Sequence, residues 1–200
     1  MAYIFVLIGK SGSGKDSFFE RLMEDKELNL KKIVGYTTRP IRHGEENGRE
    51  YYFTDIPGLN SMREKGNVIE ERCYHTVHGE WYYFTAKDEN IKRELESSEN
   101  KYLYIGTLES FAGMCDYYGR DKIIPLYIYV EDGIRLERAL IREKKQEVPK
   151  YAEMCRRFLA DEEDFSEENL KKAGIEKLFD NSGAPEECFK KLKDTILNVR

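Results

Sequence analysis

Apolar side chains follow two rhythms along this chain. Tyr3-Ile4-Phe5-Val6-Leu7-Ile8 is an unbroken apolar run stopped by Gly9, as expected of a strand covered on both faces. Tyr102-Leu103-Tyr104-Ile105 and Ile123-Ile124-Pro125-Leu126-Tyr127-Ile128-Tyr129-Val130 are two further buried-strand candidates. Elsewhere the apolar positions take helical spacing: Phe18, Phe19, Leu22 and Met23, then Leu136 and Leu140, then Met154, Phe158 and Phe165. Phe189, Leu192, Ile196 and Val199 mark an amphipathic helix packed on a sheet. Strands alternating with helices predict an α/β fold with a mostly parallel sheet flanked by helices.

Residues 35–85 break this rhythm. Gly35, Pro40, Gly44, Gly48, Pro57, Gly66 and Gly79 separate short aromatic and β-branched pieces, which predicts a small, turn-rich β lobe inserted into the core. Residues 133–168 are dense in Arg, Lys and Glu and nearly free of glycine, and read as two mobile helices forming a lid. The expected core is then 1–34, 86–132 and 169–200, all within a single domain.

Composition narrows the function classes. A chain of 200 residues buries a core without disulfide or metal staples. Its 33 Lys and Arg against 38 Asp and Glu give a net charge of −5 with no basic tract, which argues against nucleic acid or an anionic membrane as partner. Cys73, Cys115, Cys155 and Cys188 are too scattered for a zinc ribbon or a redox pair; buried thiols in a reducing compartment are expected. The opening apolar run is too short to span a membrane and lacks the flanks of a signal peptide, so a soluble, cytoplasmic protein is expected. His43, His75 and His78 show no metal-ligand spacing. Asp161-Glu162-Glu163-Asp164 reads as a solvated helix face, and Trp81 and Tyr83 as core of the lobe.

The first chemical signal is Gly9-Lys10-Ser11-Gly12-Ser13-Gly14-Lys15, which fits G-x-x-x-x-G-K between a strand and a helix. Glycines let the backbone curl so that successive N–H groups point at a phosphate, and the helix start adds its positive end. Lys15 then reaches the β- and γ-phosphates. A P-loop normally carries Ser or Thr next, on Mg²⁺; here that position is Asp16, and Ser17 follows. A carboxylate there would repel nucleotide phosphates unless a cation lies between, and it suits Mg²⁺. Asp16 is therefore the candidate metal residue.

The second signal runs from Tyr36 to Phe53. Arg39 and Arg42, with a proline between them, can converge on one anion, and Tyr51 can add a neutral donor. By itself this stretch is equally a solvated surface hairpin.

The P-loop followed by T-T-R-x-x-R-x-G-E-x-x-G-x-x-Y-x-F closely resembles the guanylate kinase family. The likeness continues through Val68-Ile69-Glu70, Gly79, Tyr82, Arg138, Arg142 and Arg157. It implies a P-loop kinase with an inserted nucleoside-monophosphate lobe and a closing lid, transferring the γ-phosphoryl of ATP to GMP with Mg²⁺. Under it, the loop from Gly9 to Ser17 binds ATP, and Lys15, Arg39, Arg142 and Arg157 assist transfer. Arg39, Arg42, Tyr51 and Tyr82 hold the monophosphate, and Glu70 accepts the guanine N1 and N2 protons. Asn181 lies on the adenine side. The implied partners are ATP and GMP, with the protein a monomer or homodimer. Where the family carries Asp-x-Asp on the strand after the lobe, this chain has Thr107 and Glu109, and the usual Tyr-Gly-Ser reads Tyr82-Tyr83-Phe84-Thr85. Two other readings stay open. Gly14-Lys15-Asp16-Ser17 also resembles a ribose bisphosphate kinase group, and Arg39, Arg42 and Tyr51 alone would serve a phosphopeptide-binding module.

Overall fold

The first strand sets the plan of the molecule. In the computed structural model, which describes residues 1–76 and 79–199, β1 (Tyr3–Gly9) is buried along its whole length. Val77, His78 and Arg200 lie outside the described residues, and with them the reading of His78. Ile4, Val6 and Ile8 enter one apolar cluster while Tyr3, Phe5 and Leu7 enter another on the opposite face. The alternation of side chains along a strand thus lets one segment serve two cores.

In chain order there follow α1 (Lys15–Glu24), β2 (Leu30–Lys32), β3 (Tyr36–Thr37), β4 (Tyr52–Phe53), α2 (Ile56–Glu64), β5 (Val68–Thr76) and β6 (Gly79–Ala86). The remainder comprises α3 (Glu89–Ser97), β7 (Lys101–Ile105), α4 (Leu108–Tyr118), β8 (Ile123–Tyr129), α5 (Asp132–Lys144), α6 (Tyr151–Asp164), α7 (Glu167–Lys172), β9 (Leu178–Asp180) and α8 (Pro185–Asn198). Five strands form one sheet in the order β2-β7-β1-β8-β9, with every pairing parallel. Helices cover both faces, as the α/β pattern requires: Leu22, Leu192 and Ile196 bury against one, Phe111 and Met114 against the other. β1 lies between β7 and β8, so the chain leaves its C-terminal end at a point where strand order reverses. Ligands of such sheets bind there.

A second sheet, β4-β3-β6-β5, stands apart in character. β3 pairs parallel with β4 and antiparallel with β6, which pairs antiparallel with β5. Its buried groups include Leu59 and Phe84 but also Thr37, Arg39 and Thr85. The sequence predicts only turn-rich β pieces here, yet α2 is helical. Asp55 caps it, accepting from the Gly58 N–H at 2.8 Å, and Pro57 sits in the first turn where its missing N–H costs nothing.

Two other expectations, on the cysteines and on the acidic run of α6, need correction. Of the four cysteines only Cys188 is buried; Cys73 and Cys115 are half-buried, and Cys155 is exposed on α6. Thr107, nearest to the missing Asp-x-Asp, is committed to capping α4 through reciprocal bonds with Ser110. The acidic run at the end of α6 is no solvated face, as the site makes clear. Among the described residues no helix is long and apolar enough to cross a membrane.

Candidate active site

The loop between β1 and α1 owes its shape to two glycines in the left-handed region, Gly12 (φ 83) and Gly14 (φ 86). Neighbours also leave no room for larger residues. A Cβ on Gly12 would lie 3.1 Å from the Arg135 side chain, and one on Gly14 would lie 2.9 Å from Asn181 Nδ2. Asn181, just past β9, donates from Nδ2 to the Ser13 carbonyl at 2.8 Å and is itself held by its N–H to the Tyr129 carbonyl. Its Oδ1 and the Ser13 hydroxyl are buried with no partner among the described residues, which at a binding site marks groups ready for a ligand. A cavity of about 290 Å³ opens here, lined by Gly12, Gly14, Ser17, Phe18, Arg138 and Asn181 among others.

The other side of the loop is closed by charge. Arg135, on α5, is 1% exposed. Its guanidinium contacts Asp132 at 3.1 Å, Asp161 at 3.2 Å and Glu162, donates to the Ser11 carbonyl at 3.3 Å, and lies over the Phe158 ring. Asp161 in turn accepts from the Ser11 N–H at 2.7 Å, and Glu162 pairs with Lys10 at 2.7 Å. Lys10 and Ser11, expected on ATP, are therefore engaged by the two lid helices, whereas Lys15 opens α1 half-exposed, next to the exposed Asp16 and Ser17. Arg142 and Arg157 line a narrow cavity with Ser11 and Arg135, both arginines being exposed. Arg138 donates to the Asn181 carbonyl at 3.0 Å. Arg135 was missed by sequence reading because its burial depends on carboxylates from α6.

In the lobe, Arg39 forks onto Glu45 at 2.7 and 2.6 Å, 3% exposed, with Tyr51 and Phe53 rings each 5.3 Å from its guanidinium carbon. Its Nε is buried without a partner among the described residues. The Arg39 bonds hold the Glu45 carboxyl at a pKa of about 2. Glu45 also accepts from the Arg42 N–H at 2.8 Å, leaving the Arg42 side chain exposed. Burial pushes the Tyr51 hydroxyl up to about 12, and Asp16 lies near enough to oppose its ionisation further. Asp16 at the phosphate loop and Tyr51 of the arginine segment are thus within electrostatic reach of one another.

The register of β5 and β6 decides which residues share a face of the hairpin. Glu70 pairs with Thr85, Arg72 with Tyr83, and Cys73 with Tyr82. Paired residues share a face, so Glu70, Arg72, Tyr83 and Thr85 lie on one side and Tyr82 on the other. Tyr83 meets the Tyr51 and Tyr74 rings edge-on at 5.5 and 5.4 Å. Tyr82 instead sends its hydroxyl to Glu80 at 3.1 Å, beneath the Arg63 guanidinium. The structure thus brings Tyr83, not Tyr82, together with Tyr51 and Arg39. Glu70 accepts from the Thr85 hydroxyl at 2.6 Å, and that hydroxyl lies 2.8 Å from Tyr104 Oη of β7. Burial raises the Glu70 carboxyl above its ordinary range. Arg72 ties this face to the lid and core, 2.6 Å from Asp164 and 3.6 Å from Glu109.

Known proteins resemble this chain in sequence and in fold. The guanylate kinase family model matches residues 1–99. A guanylate kinase of Porphyromonas gingivalis is 32% identical over 128 residues, covering 64% of this chain and 65% of the relative. One from Aromatoleum aromaticum is 39% identical over 85 residues, covering 42% of this chain and 39% of the relative. These alignments span less than two thirds of either relative. The crystal structure of guanylate kinase from Anaplasma phagocytophilum superposes with a TM-score of 0.66 at 18% identity, covering 98% of this chain and 85% of that one, which shows a shared fold. The phosphate loop and the arginine segment lie within the matched residues 1–99, and the fold is shared along nearly the whole chain, so the chain is similar to guanylate kinases.

Proposed function

We propose that this protein transfers the γ-phosphoryl of ATP to GMP, giving ADP and GDP. The reading is supported by the glycine loop with Lys15 at the end of β1, whose neighbour Asp16 is within electrostatic reach of Tyr51 in the lobe segment that carries Arg39 and Arg42. Phosphoryl transfer leaves little covalent work for a protein; it needs alignment and positive charge around the migrating group. Lys15 supplies that charge from the loop, Arg142 and Arg157 from the lid. Arg42 and the Tyr51 and Tyr83 hydroxyls hold the acceptor phosphate, and Arg39 orders them through Glu45. No general base is required, since the acceptor is already an anion.

Glu70 and Thr85 form the base end of the acceptor pocket. A carboxylate fixed by a hydroxyl on one oxygen keeps acceptor capacity for the two N–H groups of the guanine edge. The Asn181 Oδ1 and the cavity beside Gly14 and Phe18 serve the adenine side. Asp16 and Ser17 offer hard oxygen donors at the start of α1 and would hold Mg²⁺, which neutralises triphosphate charge when bound. Closure of α5 and α6 over the loop keeps water from the γ-phosphoryl.

The test is ADP release from ATP and Mg²⁺ with GMP, dGMP, AMP, UMP and phosphorylated riboses offered in turn. GMP is expected to give the highest kcat/KM. Turnover on a ribose phosphate with none on GMP would overturn the assignment in favour of the ribose bisphosphate reading that Gly14-Lys15-Asp16-Ser17 supports. ATP consumption by none of them would favour a binding module.

A further inference from the structure

The β5–β6 hairpin presents a second face, opposite the one that carries Glu70 and Tyr83. Cys73 and His75 alternate onto the side away from Glu70 and Tyr83, and the antiparallel register sets Glu80 directly opposite His75. One ligand atom from each of Cys73, His75 and Glu80 lies within 4.8 Å of the others. His75 Nδ1 is 3.3 Å from Glu80 Oε1, and the other oxygen, Glu80 Oε2, accepts from the Tyr82 hydroxyl at 3.1 Å. We propose that these three side chains bind a divalent transition-metal ion of the zinc class on the outer face of the hairpin.

The donor set selects the ion. A thiolate, an imidazole and a carboxylate suit Zn²⁺, while Mg²⁺ and Ca²⁺ take oxygen ligands alone. Bonds of about 2.0–2.3 Å in a tetrahedral arrangement place ligand atoms roughly 3.3–3.8 Å apart, so rotamer adjustment on a fixed backbone closes the present cluster around an ion. The hydrogen bond from Tyr82 orients the carboxylate, the support metal ligands usually receive from outside. The His75–Glu80 pair by itself is exposed, with side chains 79% and 54% accessible, and such a pair contributes little. On binding, the Cys73 S–H bond breaks, its proton leaves to solvent, and sulfur bonds the metal; no electrons are transferred. Three protein ligands leave the fourth position to water. Crossing both strands, the ion would pin the hairpin whose inner face lines the acceptor pocket.

Cobalt(II) titration of the full chain, without nucleotide so that Asp16 recruits no metal through a phosphate, tests the site independently of kinase activity. One Co²⁺ per chain is expected, with visible tetrahedral bands and a near-ultraviolet thiolate band, both displaced by Zn²⁺. Cys73→Ser should abolish the thiolate band, and His75→Gln and Glu80→Gln should each weaken Zn²⁺ binding by roughly tenfold or more. Cys155→Ser, which removes an exposed thiol elsewhere, should change nothing. Circular dichroism of each variant establishes folding. Absence of stoichiometric Co²⁺ binding, a thiolate band that survives Cys73→Ser, or one lost with Cys155→Ser would overturn the proposal.

Discussion

The phosphate loop and the arginine-bearing lobe are built by opposite means. The loop springs from β1, whose Ile4, Phe5, Val6, Leu7 and Ile8 are wholly inaccessible, so its glycines start from a strand fixed by apolar packing on both faces. The lobe buries Leu59 and Phe84 beside Thr37, Arg39 and Thr85, and its order comes from the Arg39–Glu45 fork and the Glu70–Thr85–Tyr104 chain. Burial of apolar area is non-directional and tolerant; a buried polar pair is directional and fails when one partner is lost. The nucleotide side should therefore resist change, and the acceptor side should be tunable by single side chains and by pH.

The charged seam between the loop and the lid is the exception on the nucleotide side, and disturbing it should have the largest effect. Arg135→Ala strips the shared cation from Asp132, Asp161 and Glu162 in a site that is 1% exposed at the arginine. Breaking a buried ion network from one partner costs about 3–5 kcal/mol, and urea unfolding should show a loss of that order. Lys15→Ala comes next. It should leave the unfolding midpoint nearly unchanged and lower kcat about 10²–10³-fold, the usual cost of removing one donor aimed at transition-state charge. A variant that lost stability in proportion to activity would make Lys15 part of the scaffold.

The same contrast explains what could be read from the residues alone. The apolar runs at 3–8, 102–105 and 123–130 announced a two-sided sheet, and glycine spacing announced the phosphate loop, because both signals are local. What was missed depends on partners distant in sequence. Asp161 and Glu162 resemble any exposed acidic run until α6 brings them to Lys10 and Arg135. Helix α2 was hidden by Pro57 and Gly58, which mark turns unless Asp55 is seen as a cap. Tyr82 and Tyr83 differ by one residue, and strand parity sends one to each face. The register that decides between them shifts between Val68 and Glu70, a break that composition does not reveal.

On the acceptor side, acid should act through Glu45. Arg39 holds its carboxyl at about 2, below the ordinary 4.5. A carboxyl lowered on folding stabilises the fold above its unfolded pKa, and that contribution disappears as pH falls from about 4.5 towards 2. Hydrogen bonds to a charged partner contribute about 1.5–3 kcal/mol, so Glu45→Gln should lower stability near pH 7 by an amount in that range. The difference from wild type should vanish as pH falls through that window. Urea midpoints measured at steps from pH 7 to pH 2 check this; a gap that stayed constant would show that the pair does not titrate with the fold.

The smallest effect separates the two faces of β6. Tyr83 sits against Tyr51 on the cleft face, and Tyr82 bonds Glu80 on the outer one. If the Tyr83 hydroxyl donates to the acceptor phosphate, Tyr83→Phe removes one hydrogen bond of about 1 kcal/mol and should raise the KM for GMP about fivefold with kcat little changed. Tyr82→Phe should move KM by less than about twofold, since the bond it loses lies outside the pocket. Both variants keep the ring that each face packs, so the two KM ratios compare hydroxyls alone. Equal ratios would mean that neither hydroxyl touches the acceptor; a larger ratio for Tyr82 would turn the hairpin over and place the acceptor against Cys73 and Glu80 instead of Glu70 and Thr85.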